Sequence, residues 1–205
     1  MTSLVWLTTV MVASQLAPRP DSGLETEVHV VAVSPDGTEA PVANQQVVVV
    51  ALDGSGRRVS AETGDDGIAH VQLDPSASTT FLALAGQDGI EFRSAEFAIP
   101  STEAERTVRL YSVSDDQSGL YIERLRTMIE PWEGYVIVQQ TWIFGNRLST
   151  VYRASTEDGG LVLPLPEGAE ATHVRRPEGE ESVIVGDAAL TYREPIGPEG
   201  ALIQG

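Results

Sequence analysis

The side chains in this chain best suited to chemistry are carboxylates standing in pairs: Asp65/Asp66, Asp115/Asp116, Glu157/Asp158 and Glu180/Glu181. Paired carboxylates do acid–base or glycoside-cleaving work only where a cleft desolvates one of them and raises its pKa. All four pairs fall in stretches that read as loops, where water solvates both partners. The best candidate for a metal loop is "TGDDGIAHVQL" (63–73). A calcium loop of the helix–loop–helix kind needs oxygen ligands at alternating positions and a closing bidentate glutamate, and that pattern is missing. Asp65 and Asp66 therefore read as the turn before a strand. In that strand Ala69, Val71 and Leu73 face one way and Ile68, His70 and Gln72 the other.

Other chemistries find less. His29, His70 and His173 each stand alone in a strand pattern, with no His-x-His or His-Glu-x-x-His to converge on zinc. The chain has no cysteine, which excludes disulfides, thiolate nucleophiles and cysteine metal sites. No Gly-x-Ser-x-Gly elbow occurs, and Gly54-Ser55-Gly56 is a hairpin tip. A phosphate loop needs Gly-Lys-Ser/Thr, and the sequence contains no lysine at all. The sequence thus predicts no catalytic residue, no cofactor-binding residue and no metal ligand. The aromatic residues are more suggestive. Trp132 is expected at a hairpin tip, where a ring can stack on a sugar or anchor a protein partner. Trp142 shares a strand face with Val136 and Val138 and is expected in a core, with Tyr135 on the other face.

The elements that position these residues are strands. The chain has 205 residues, 41% of them hydrophobic, with 19 glycines and 12 prolines. From residue 28 onward, short β-branched runs recur between turns: 28–33, 45–52, 58–63, 68–73, 79–86, 90–99 and 106–113. Turn chemistry separates them at Ser34-Pro35-Asp36-Gly37, Asp53-Gly54-Ser55-Gly56 and Gly64-Asp65-Asp66-Gly67. Seven strands so spaced predict a β-sandwich. After the polar stretch Asp115–Gly119 strands resume at 120–129 and 135–144, around a turn through Glu130–Gly134. Further strands are expected at 150–154, 161–166, 171–176, 181–186 and 189–194. Pro164 and Pro166 mark the 161–166 segment as an edge or bulged strand.

The formal charge is −17, distributed as +1 over residues 1–20, −12 over 21–120 and −6 over 121–205. Both halves would repel a phosphate backbone, which argues against nucleic acid and anionic membrane surfaces as partners. "LVWLTTVMVASQL" (4–16), followed by Ala17 and a breaker run, has the length of a signal-peptide core and is too short to span a bilayer. Cleavage after Ser14 or Ala17 fits the small-residue rule.

Residues 41–73, "PVANQQVVVVALDGSGRRVSAETGDDGIAHVQL", resemble the bacterial carboxypeptidase regulatory-like domains, which have a transthyretin-like or immunoglobulin-like sandwich. Pro41, Val42, Val47, Thr63, Asp66, Gly67, Ala69, Val71 and Leu73 occupy that pattern, and the resemblance spans about 90 residues. It implies a structural or accessory module without a peptidase active site. The second half resembles a module of exported or envelope proteins of Gram-negative bacteria, through Gly160, Leu161, Pro164, Leu165, Pro166, Gly168 and Ala169. That likeness implies architecture, not sites.

The expectation is therefore an all-β protein of two tandem β-sandwich domains: a signal peptide at 1–20, a first module at 21–116 and a second at 117–205. The terminal run Ala201-Leu202-Ile203 reads as a strand without a partner. The second module is accordingly expected to be an incomplete piece of a longer chain, with room for a membrane anchor beyond it. The expected role is non-catalytic, a structural or interaction module of the cell envelope, exported to the periplasm or cell surface, with a protein or envelope partner. Two rivals are a carbohydrate-binding or adhesin-type module and the accessory region of a longer hydrolase. A cation-dependent module held by the acidic loops comes third.

Overall fold

A computed structural model describes residues 23–74, 80–99, 106–155, 159–165, 167–169, 183–185, 189–198 and 203–204. The signal segment, the strand expected at 171–176, His173, Pro166 and the pairs Glu157/Asp158 and Glu180/Glu181 lie outside these residues. The described residues contain strands and turns and no helix. The strands of the first half are β1 (Leu24–Val33), β2 (Glu39–Pro41), β3 (Gln46–Ala51), β4 (Arg58–Glu62), β5 (Ile68–Leu73), β6 (Thr80–Gln87), β7 (Ile90–Arg93), β8 (Phe97–Ala98) and β9 (Thr107–Tyr111). Then follow β10 (Val113–Ser114), β11 (Leu120–Trp132), β12 (Tyr135–Asn146), β13 (Val151–Tyr152), β14 (Leu161–Pro164), β15 (Val183–Val185), β16 (Ala189–Tyr192) and β17 (Ile203–Gln204).

Alternation makes these strands amphipathic, and two sheets use it. In one sheet β1 pairs antiparallel with β2 and β5 and parallel with β9. The other runs β17-β7-β6-β3-β4, with β8 also on β6. Val28, Val30, Ala69, Val71, Leu73, Val108 and Leu110 from the first sheet meet Val47, Val49, Phe81, Ala83, Phe92 and Phe97 from the second in one buried cluster. That is the layering of a β-sandwich, and it drives folding by removing a continuous apolar face of each sheet from water.

Two buried polar residues stand where the ladder is interrupted, and the hydroxyl of each is hydrogen-bonded twice. Thr63 donates its hydroxyl to Val42 O (2.6 Å) and accepts from Gln45 N (2.9 Å). Ser94 accepts from Ala83 N (3.0 Å) and donates to Ala95 O (2.7 Å). The run expected as one strand over 90–99 is consequently two, β7 and β8, because Ser94 takes over the bonding where the chain leaves the ladder. Gly67 has φ +75°, and a Cβ there would stand 2.8 Å from Pro41 Cβ and Val30 O, so glycine allows β1 and the 63–67 turn to meet.

The second half is joined to this sandwich. β13 pairs parallel with β10, and Val151, fully buried, belongs to the sandwich's own core cluster. Arg153 Nη1 donates to Asp88 O (3.0 Å), and Tyr152 bridges to Ile196. β14 is an edge of the sheet β14-β16-β15, as Pro164 predicts. The terminal run expected to lack a partner does have one: Ile203 and Gln204 pair with Phe92 and Glu91 on β7.

Candidate interaction site

β11 and β12 are 13 and 12 residues long, against about five or six for a typical strand, and among the described residues they pair only with each other. At 3.4 Å per residue they make a two-stranded arm about 40 Å long. The expected turn through Glu130–Gly134 is tighter than the sequence implies. Trp132 pairs with Tyr135 and Pro131 with Val136, leaving only Glu133 and Gly134 in the loop. Both have positive φ, +38° and +91°, the backbone of a two-residue type I′ turn whose twist matches that of the flanking strands. Pro131 is tolerated in the ladder because a two-stranded arm has only edge strands.

Register decides what each face carries. One face presents the rungs Ile122–Phe144, Leu125–Trp142, Thr127–Gln140, Ile129–Val138 and Pro131–Val136. The opposite face holds Arg124–Ile143, Arg126–Thr141, Met128–Gln139, Glu130–Ile137 and Trp132–Tyr135. A bulge between Ile122 and Arg124 absorbs Glu123, so that Ile122 and Leu125 share a face although they are an odd number of residues apart. The first face therefore has no charged residue on any of these rungs. Gln140, Trp142 and Phe144 on this face are partly covered, but most of its other side chains are open to solvent: Ile129 is 65% exposed, Val136 64% and Ile122 51%. Nine of the thirteen exposed large hydrophobic residues among those described lie on this arm, five of them, Ile122, Leu125, Ile129, Val136 and Val138, on this face. Apolar side chains left open along one face in this way mark an interaction surface.

The root of the arm is held by one buried amide. Asn146 donates through Nδ2 to Thr150 O (2.8 Å) and Ile196 O (3.2 Å), and its Oδ1 accepts from Leu148 N (3.0 Å). Gly119 leaves room for it, since a Cβ there would collide with Leu148 and Asn146 Oδ1. Gly145 lies under the Tyr121 ring, which carries the Arg147 guanidinium 4.6 Å above its centroid. Trp142 stacks on Phe144 (6.3 Å), and Phe144 meets Tyr192 of β16 (5.7 Å). The aromatic expectations thus divide. Trp142 is half-buried at the root, while Trp132 is 62% exposed at the tip and lies on the opposite face.

The acidic turns serve themselves. Asp66 Oδ1 accepts the Ile68 N–H (3.0 Å), and Asp36, Asp53 and Asp116 accept from Thr38, Ser55 and Ser118 in the same way. These bonds hold the carboxyls of Asp36, Asp53 and Asp116 below the ordinary aspartate value. His70 faces solvent beside Glu25, Nδ1 to Oε1 3.1 Å, and His29 is exposed on β1. No group of three His, Asp or Glu among the described residues could hold a metal ion. Burial raises the Tyr111 phenol above its usual value. A hollow of about 470 Å³ lined by Asn44, Gln46, Ser60, Ala61 and Glu62 lies along the edge strand β4, wide open to solvent. It gathers no set of groups suited to catalysis.

Trp132 at the tip was legible in the sequence, but the exposure of the arm's aliphatic residues was not. The available signal was length: residues 120–146 make two strands twice the usual size, too long for the sheets that could cover them. No protein-family model matches the chain, and neither the curated proteins nor the solved structures contain a significant match to it.

Proposed function

We propose that this chain is a non-catalytic interaction module of the bacterial cell envelope, exported to the periplasm or cell surface, and that the β11–β12 arm is its working part. The sandwich is the platform, in keeping with the carboxypeptidase regulatory-like resemblance of residues 41–73. The observation that carries this reading is the uncharged, solvent-exposed face of the arm. Exposing so much apolar surface costs solubility, and a covering partner removes that cost. A carbohydrate platform would want several rings on one exposed face, whereas Trp132 and Trp142 point to opposite sides of the ribbon. A protein or envelope component suits the arm better.

The test compares the purified chain with an Ile129→Glu/Val136→Glu variant for binding to isolated envelopes of the source cell. The parent is expected to be retained and the variant released, with circular dichroism unchanged between them. Equal retention of the two would overturn the proposal.

A further inference from the structure

We propose that the uncharged face of the arm is covered by the same face of a second copy of this chain, the two arms stacking about a two-fold axis at the Thr127–Gln140 rung. This rests on the reading of the arm as an interaction element and names its partner. The argument begins with pattern. With the axis at that rung, Leu125–Trp142 of one copy lies over Ile129–Val138 of the other, and the polar rung lies over itself, where the hydroxyl and amide can hydrogen-bond across the axis. The opposite face could not be buried in this way without taking Arg124, Arg126 and Glu130 out of water.

Charge points to the same partner. The arm, residues 120–146, carries three glutamates and two arginines, a formal −1 of the chain's −17. Two copies meeting through their bodies would bring strongly acidic surfaces together. Antiparallel arms about 40 Å long leave the bodies at opposite ends, well beyond the screening length of about 8 Å at physiological salt. Stacking also supplies what an isolated hairpin lacks, a second layer about 10 Å away. A face of roughly 40 by 10 Å is small for an interface, so the association is weak and concentration-dependent.

The absence of cysteine makes the test clean. Thr127→Cys is treated with a short bismaleimide beside Gln139→Cys, which places the thiol on the opposite face. Thr127→Cys is expected to give a covalent dimer whose yield rises with protein concentration and changes little with salt, and Gln139→Cys far less of it. Sedimentation of the cysteine-free parent should show a monomer–dimer equilibrium. Ile129→Glu should weaken it by about tenfold or more, since it buries a charge without a partner, and the milder Val138→Thr should weaken it less. A parent that stays monomeric at every concentration, or equal cross-linking from the two cysteines, overturns the inference. So does a monomer that binds phosphatidylcholine vesicles through the arm. A monomer that still binds envelopes through the arm refutes only the self-pairing, whereas a dimer that ignores envelopes refutes only the envelope role.

Discussion

Asn146 shows how much one side chain can organise. It is fully buried, and its amide bonds one carbonyl and one N–H of the loop that follows β12 and one carbonyl fifty residues on. Asn146→Ala should cost about 1–3 kcal/mol, because it takes their side-chain partner from Thr150 O and Leu148 N, while Ile196 O keeps the Tyr152 N–H. Urea unfolding would measure the loss, and Asn146→Asp should not restore it, since a carboxylate cannot donate. The aspartates of the turns act at the opposite extreme of exposure. With folded pKa values below 3.8, Asp36, Asp53 and Asp116 contribute stability that is present above the unfolded value and lost as pH falls through the lower folded ones. Replacing all three by Asn should therefore flatten the acid side of the stability profile below about pH 4, with little change at pH 7 because Asn keeps the acceptor. A thermal melt series against pH reads this directly. Such turns were legible in the sequence, since Asp-Gly-Thr and Asp-x-Ser state their own hydrogen bonding. Asn146 was not, because nothing local to "GNR" reveals that residues 150 and 196 return to it.

At the scale of elements, alternation proved a dependable guide wherever a strand had one buried face, as in β3, β5 and β6. The arm defeated it for a physical reason. A strand pattern says which residues share a face and is silent on whether anything covers that face. The bulge at Glu123 adds a phase change that strict alternation would misread, placing Ile122 with Arg124 and Arg126 rather than with Leu125. The turn offers a clear prediction at this scale. Glu133 holds a left-handed backbone that asparagine tolerates better, so Glu133→Asn should stabilise the arm by about 1 kcal/mol. Hydrogen exchange of the amides of β11 and β12 should slow accordingly, while those of β1 and β6 stay unchanged.

For the whole molecule, the all-β, sandwich-like character was legible from strand count and spacing, as was the edge position of β14. The joints between the halves were not, because β10–β13 and β17–β7 pair segments of two residues, too short to announce a partner. These joints carry a prediction. A chain of residues 21–116 alone would lose Val151 from the core cluster and the cover of β17 on β7. It should be less stable than the full chain by at least the roughly 2 kcal/mol that one buried valine contributes. Equal midpoints in denaturant for the two would mean that the sandwich is indifferent to its neighbour.

The shape of the arm also has a mechanical meaning. Its two strands stand about 4.8 Å apart at the root, while its tip lies about 40 Å away. A sideways pull at Trp132 within the plane of the ribbon is therefore borne at the root as tension in one strand and compression in the other, each about eight times the applied force. The bonds that meet this couple are those around Asn146, which join β12 to the loop through Thr150 and to Ile196. Loaded by a bound partner, the chain behaves as a lever whose fulcrum is a single asparagine, and that fulcrum should yield before the sandwich does.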